Sequence, residues 1–156
     1  MGIEQIYTEV LQEHTNSKRN KHHIEDPTVK RNGVNPSCGD EIELELRMKD
    51  GVIIDAGYTG KGCAISQASA SIMIDLIKGK PMEEAMELAD LFFGMIKHEV
   101  TEEEKLEALE DAIALKDISH MPARVKCAVL GWHTLKECAD TGGDHHGIRT
   151  SESGNI

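Results

Sequence analysis

The chain has 156 residues, of which 39% are hydrophobic and only 3% aromatic, and it carries a formal net charge of −11. That length suits one domain with a core of Leu, Ile, Val, Ala and Met rather than rings. The charge excludes nucleic acid as the natural partner, because its phosphates would be repelled, and no apolar run is long enough to cross a bilayer.

Ile3, Ile6, Tyr7, Val10 and Leu11 recur at helical spacing and predict an opening amphipathic helix. Residues 15–36 are polar and irregular, with His22-His23, Pro27 and Gly33, and read as a surface loop. Ile42, Leu44, Leu46 and Met48 then alternate with Glu41, Glu43, Glu45 and Arg47, the pattern of a half-buried strand with a charged outer face. Lys49-Asp50-Gly51 supplies a hairpin turn, and Val52 to Thr59 the returning strand. Gly60-Lys61-Gly62-Cys63 closes that strand, and Ile65, Ala68, Ile72, Met73 and Leu76 mark one face of a following helix that Gly79 stops. Pro81 opens the next helix, to about Met95. Thr101 to Asp117 is acidic with a helical pattern, Leu106, Leu109 and Ile113 facing inward. Pro122 begins the last long helix, through about Ala139. Residues 1–140 thus form a single α+β domain, a small antiparallel sheet of two to three strands against several helices. The tail, 141–156, has little to bury and is expected to be flexible.

The opening Met1-Gly2-Ile3-Glu4-Gln5 lacks the basic-then-apolar pattern of a signal peptide, so a cytoplasmic location is expected, where thiols stay reduced. The four cysteines therefore point to a metal site or a reactive thiol rather than to two disulfides. Cys38 lies in a loop before the Ile42 strand, Cys63 in a strand-to-helix turn, and Cys127 in the first turns of the last helix. Loop ends from different elements can converge on one rim, and zinc takes about four such ligands. Asp40, two residues after Cys38, is the natural fourth ligand, with Gly39 between them easing the bend.

A free cysteine is more often a small buried hydrophobe, and glycines beside Cys38 and Cys63 are what favour an approachable sulfur. Cys138 is one such hydrophobe: eleven residues beyond Cys127, it sits roughly 16 Å further along the same helix. His133 falls well round that helix from Cys127 and suits helix packing or solvent rather than ligation. His14, His22, His23, His98, His120, His145 and His146 lie in polar settings and read as solvated.

Three motifs carry a resemblance: Asn-Pro-Ser-Cys-Gly-Asp (35–40), Gly-Lys-Gly-Cys-Ala-Ile-Ser (60–66) and Pro-Ala-Arg-Val-Lys-Cys (122–127). In this order they resemble the three cysteine motifs of the IscU/NifU-like superfamily, over roughly Ile3 to Ala139. The scaffold branch of that superfamily, on which a [2Fe–2S] cluster is built, typically has His directly before the third cysteine; here that residue is Lys126. Lys126, Arg124 and the long segment between Cys63 and Cys127 look like the SufU branch instead. One departure is Ser17-Lys18-Arg19-Asn20, where members often have Pro-Arg-Asn.

The resemblance implies a tetrahedral zinc on Cys38, Asp40, Cys63 and Cys127. It implies that Cys38 leaves the metal to accept a persulfide sulfur from a pyridoxal-phosphate-dependent, SufS-like cysteine desulfurase. The sulfur then passes to downstream cluster-assembly proteins, which makes the chain a sulfurtransferase. The alternative is a scaffold holding a transient iron–sulfur cluster. Neither reading expects a membrane or nucleic-acid partner.

Overall fold

The centre of the molecule is a β-hairpin, seen in a computed structural model that describes residues 3–37, 39–141 and 148–149. Strands β2 (Asp40–Lys49) and β3 (Val52–Lys61) pair antiparallel around Asp50 and Gly51. Both turn residues have positive φ, 54° and 81°, which matches the right-handed twist of the strands. Ile42, Leu44 and Leu46 are fully buried, as the alternation predicts. Glu45 departs from the expected charged outer face: it is only 2% exposed. Residues 20–24 lie across that side of the sheet, where Ile24 N–H donates to Glu45 Oε1 at 3.0 Å.

The segment read as a loop contains a strand, β1 (Val29–Asn35), antiparallel to β2. Its inward positions are Val29, Arg31, Gly33 and Asn35, so it buries a face without an apolar alternation to announce it. Gly33 lies where an added Cβ would meet Thr134 Oγ1 at 2.2 Å, and this is how the last helix comes to lie against β1. A two-residue strand, β4 (Ile148–Arg149), pairs in parallel with Gly33 and Val34, completing the order β3-β2-β1-β4. The rest of the tail expected to be flexible lies outside the described residues.

Helices α1 (Ile3–Ser17), α2 (Ala64–Ile77), α3 (Met82–Ile96), α4 (Glu103–Leu106) and α5 (Pro122–Thr141) gather on the sheet. The acidic segment is less regular than its pattern suggests. After α4 it runs in 3₁₀ turns over Glu107–Leu115 and Ile118–His120, broken at Glu110 by φ 48° and ψ −122°. Leu106 and Leu109 are buried and Ile113 partly so, as expected. Among the described residues no helix is long and apolar enough to cross a membrane.

The α2–α5 contact fixes the rest. An added Cβ at Gly131 of α5 would come within 3.3 Å of Ala70 Cβ in α2, so small residues let the two backbones approach. Ser69 Oγ donates to Ala128 O at 2.5 Å and accepts from Trp132 Nε1 at 3.1 Å, pinning the helices in register. Trp132, fully buried, stacks on Phe92 of α3 at 4.3 Å. Loss of such a ring costs about 3–5 kcal/mol.

Two histidine expectations divide here. His133 packs on Phe93 at 4.7 Å, and burial, with Lys136 and Lys97 nearby, holds its pKa below the ordinary value. His14, read from sequence as solvated, is 1% exposed: Nδ1 bonds Ser71 Oγ at 2.9 Å and Nε2 lies 3.6 Å from Asp111. Asn20 donates to Ser71 O at 2.9 Å and Arg19 pairs with Asp75, so the loop after α1 is tied to α2. Lys18, where members of the resembled family often have proline, has φ 51°, a value a proline ring does not allow.

Candidate metal centre

Three of the four residues expected to hold a metal come together. One ligand atom each from Asp40, Cys63 and Cys127 lies within 4.8 Å of the others. The three arrive on different elements: Asp40 at the start of β2, Cys63 capping α2, and Cys127 in the second turn of α5. Asp40 and Cys127 are fully buried and Cys63 half-buried.

Each is held by local physics. Cys63 has extended backbone at the N-cap of α2, and its Sγ accepts from Ser66 N–H at 3.5 Å. Cys63 N–H itself donates to Asp40 Oδ1 at 2.9 Å, joining the strand to the helix cap. Gly62 permits this approach, since an added Cβ would lie 2.5 Å from Asp40 Oδ1. Pro122 occupies the first position of α5, where its missing N–H costs nothing, and α2–α5 packing then carries Cys127 to the other two.

Asn35, which sequence reasoning passed over, completes the arrangement. It is fully buried, and its Nδ2 lies 3.4 Å from Asp40 Oδ2 and 3.8 Å from Cys127 Sγ. Its position as the first residue of the Asn-Pro-Ser-Cys-Gly-Asp motif was the only signal for it.

Cys38 lies outside the described residues. Asn35 and Asp40 are register partners at the root of the β1–β2 hairpin, and Gly39 N–H donates to Asn35 O at 3.0 Å. Between these buried roots, Pro36, Ser37 and Gly39 are exposed, and Gly39 has φ 74°, the left-handed conformation glycine adopts most readily.

The donor set fits zinc. Zinc is a borderline-soft ion that takes both thiolate sulfur and carboxylate oxygen, and tetrahedral bonds of about 2.0–2.3 Å place such ligands roughly 3.5–4 Å apart. Ligand atoms within 4.8 Å of one another lie within about 1 Å of that spacing. Among the described residues no histidine joins this trio. Two other groupings, Glu13–His14–Asp111 and His23–Glu43–Glu45, contain no thiolate. In the second, His23 Nδ1 already lies 2.5 Å from Glu45 Oε2. Cys138 is apart from all of this, 2% exposed, with burial pushing its thiol up to about 12.

Comparison with known proteins agrees with the architecture. The family model described as the NifU-like N terminal domain matches residues 6–141. The chain is 43% identical over 137 residues to the iron–sulfur cluster assembly scaffold protein IscU of Thermotoga maritima, covering 88% of this chain and 94% of that one. It is 35% identical over 154 residues to the zinc-dependent sulfurtransferase SufU of Bacillus subtilis, covering 99% and 97%. Among solved structures, a putative scaffold protein for the SUF system from Fervidobacterium islandicum superposes with a TM-score of 0.79 at 34% identity, over 87% of this chain and 98% of that one.

Proposed function

Because this chain belongs to the NifU-like N-terminal domain family, we propose that it serves iron–sulfur cluster assembly as a zinc-bound sulfur acceptor. One observation carries the reading. Fully buried Asp40 and Cys127 and half-buried Cys63 come together beside the exposed Pro36, Ser37 and Gly39, and the sequence places Cys38 between the last two. The other two cysteines, Cys63 and Cys127, are anchored in a helix cap and a helix.

When bound, zinc keeps its thiolate ligands deprotonated at neutral pH and masks their reactivity. Cys38, Asp40, Cys63 and Cys127 would hold it. Cys38 then performs the chemistry. Its thiolate attacks the outer sulfur of a persulfide on a cysteine desulfurase. The partner's S–S bond breaks, its electron pair leaves on the partner cysteine as thiolate, and Cys38 carries the persulfide with its proton. A loop position suits a ligand that must act in this way, whereas Cys127 cannot move without moving α5. The sulfur goes on to cluster-assembly proteins, and the pyridoxal phosphate belongs to the desulfurase.

The 43% identity to a protein named as a scaffold supports a second reading, in which the same ligands hold a [2Fe–2S] cluster. Lys126 before Cys127, and a trio without histidine, favour the first. Stimulation of a SufS-like desulfurase decides between them. The acceptor reading expects stimulation by the parent protein and none by Cys38→Ser, which keeps the docking surface. A stable [2Fe–2S] chromophore assembled in full yield by Cys38→Ser, with no effect of the parent on the desulfurase, supports the scaffold instead.

A further inference from the structure

We propose that Asn35 is a positioning residue that sets the spacing of Asp40 and Cys127 for one metal ion and ties it to the loop bearing Cys38. The inference rests on the metal-binding reading of that trio. Asn35 is fully buried, and among the described residues its Oδ1 has no hydrogen-bond partner. Its Nδ2 faces two acceptors on separate elements, Asp40 Oδ2 at 3.4 Å and Cys127 Sγ at 3.8 Å.

Electrostatics fixes that orientation. Turning the amide over would set Oδ1 against a carboxylate oxygen and a sulfur, acceptor against acceptor, so the donor end stays on the ligands. An isolated buried carbonyl is unfavourable, and a fold that tolerates one to keep two weak donor contacts is holding something in place. The backbone of the same residue performs the second task. Asn35 pairs with Asp40 across the hairpin, and its carbonyl accepts from Gly39 N–H at 3.0 Å, closing the turn that contains Cys38. One residue thus links a strand ligand, a helix ligand and the loop. A coordinating thiol is held as thiolate, a better acceptor than S–H, so the Nδ2 contact to Cys127 Sγ should tighten when the metal binds.

Asn35→Leu, similar in size but without a donor, and Asn35→Ala test this. Zinc affinity by chelator competition and the thiolate-to-metal absorption of the cobalt(II) form are the readouts. Both variants should fold by circular dichroism, bind zinc about ten- to a hundredfold more weakly, and show a shifted cobalt spectrum. If the parent binds zinc and both folded variants match it in affinity and spectrum, the positioning role is wrong. If the parent itself binds no zinc, the metal reading falls with it. Should both variants fail to fold, the unmutated protein supplies the test by nuclear magnetic resonance. The Asn35 side-chain amide protons should shift on cadmium(II) loading and exchange slowly with water. An amide that ignores the metal overturns the proposal.

Discussion

Asp40 has two oxygens and two tasks. Oδ1 takes the Cys63 N–H, which anchors the cap of α2, and Oδ2 faces Asn35, free to serve as the proposed metal ligand. Asp40→Ala should therefore loosen zinc and destabilise the fold by about 1–3 kcal/mol, since it leaves the Cys63 N–H without its acceptor. Chelator-driven zinc loss and thermal unfolding measure the two effects separately, and unchanged zinc loss would remove Asp40 from the site. Cys63→Ala and Cys127→Ala should each abolish stoichiometric zinc, whereas Cys138→Ala should keep it. With its thiol pushed up to about 12 by burial, Cys138 should also resist alkylation at neutral pH in the folded protein. The convergence of Asp40, Cys63 and Cys127 was legible in the sequence, because glycine-flanked cysteines and a Cys-x-Asp step announce themselves. Asn35 and the buried His14 were not, since a polar residue type carries no sign of what the tertiary fold will place around it.

At the scale of elements, the β2–β3 hairpin and the helix starts at Cys63, Pro81 and Pro122 follow from alternation, turn chemistry and proline placement. β1 was hidden because its inward residues are Val29, Arg31, Gly33 and Asn35, chosen for contacts with α5 and the metal trio rather than for apolarity. The 3₁₀ turns were hidden because Leu106, Leu109 and Ile113 fit a continuous helix equally well, and only Glu110 breaks it. Two predictions belong to this scale. Gly131→Val should wedge α2 from α5, costing about 1–3 kcal/mol and weakening zinc binding, because Cys63 and Cys127 ride on those helices. Zinc affinity equal to that of the parent would show that the trio does not depend on this contact. Glu45 gives a pH dependence. Burial alone would raise its pKa, but the Ile24 N–H and His23 outweigh it and hold the carboxyl below its ordinary 4.5. A depressed pKa means the carboxylate contributes stability that is complete above the unfolded value and lost as pH falls through the folded one. Glu45→Gln should accordingly flatten the acid limb of the stability profile below about pH 5 in denaturant titrations. An unchanged limb would mean that another group governs it.

For the whole molecule, a metal that binds only where a strand, a helix cap and a helix meet must stabilise all three together. Zinc at a hundred times its dissociation constant should add about 2.7 kcal/mol, which for a chain of this size raises Tm by roughly 5–10 °C. Chelation should reverse the shift, and a Tm indifferent to zinc would contradict a site made from separate elements. The α+β class was readable from strand alternation and helical spacing, and the convergence of Asp40, Cys63 and Cys127 from their places at element boundaries. The proposed sulfur chemistry concentrates on one atom, the Cys38 sulfur. Peptide mass spectrometry of the zinc-loaded protein, after reaction with a cysteine desulfurase and cysteine and with thiols trapped under non-reducing conditions, reads that atom directly. One added sulfur is expected on the peptide containing Cys38 and none on those containing Cys63, Cys127 or Cys138. An added sulfur on Cys138 alone, or no sulfur on Cys38 while the desulfurase turns over, would contradict the acceptor role.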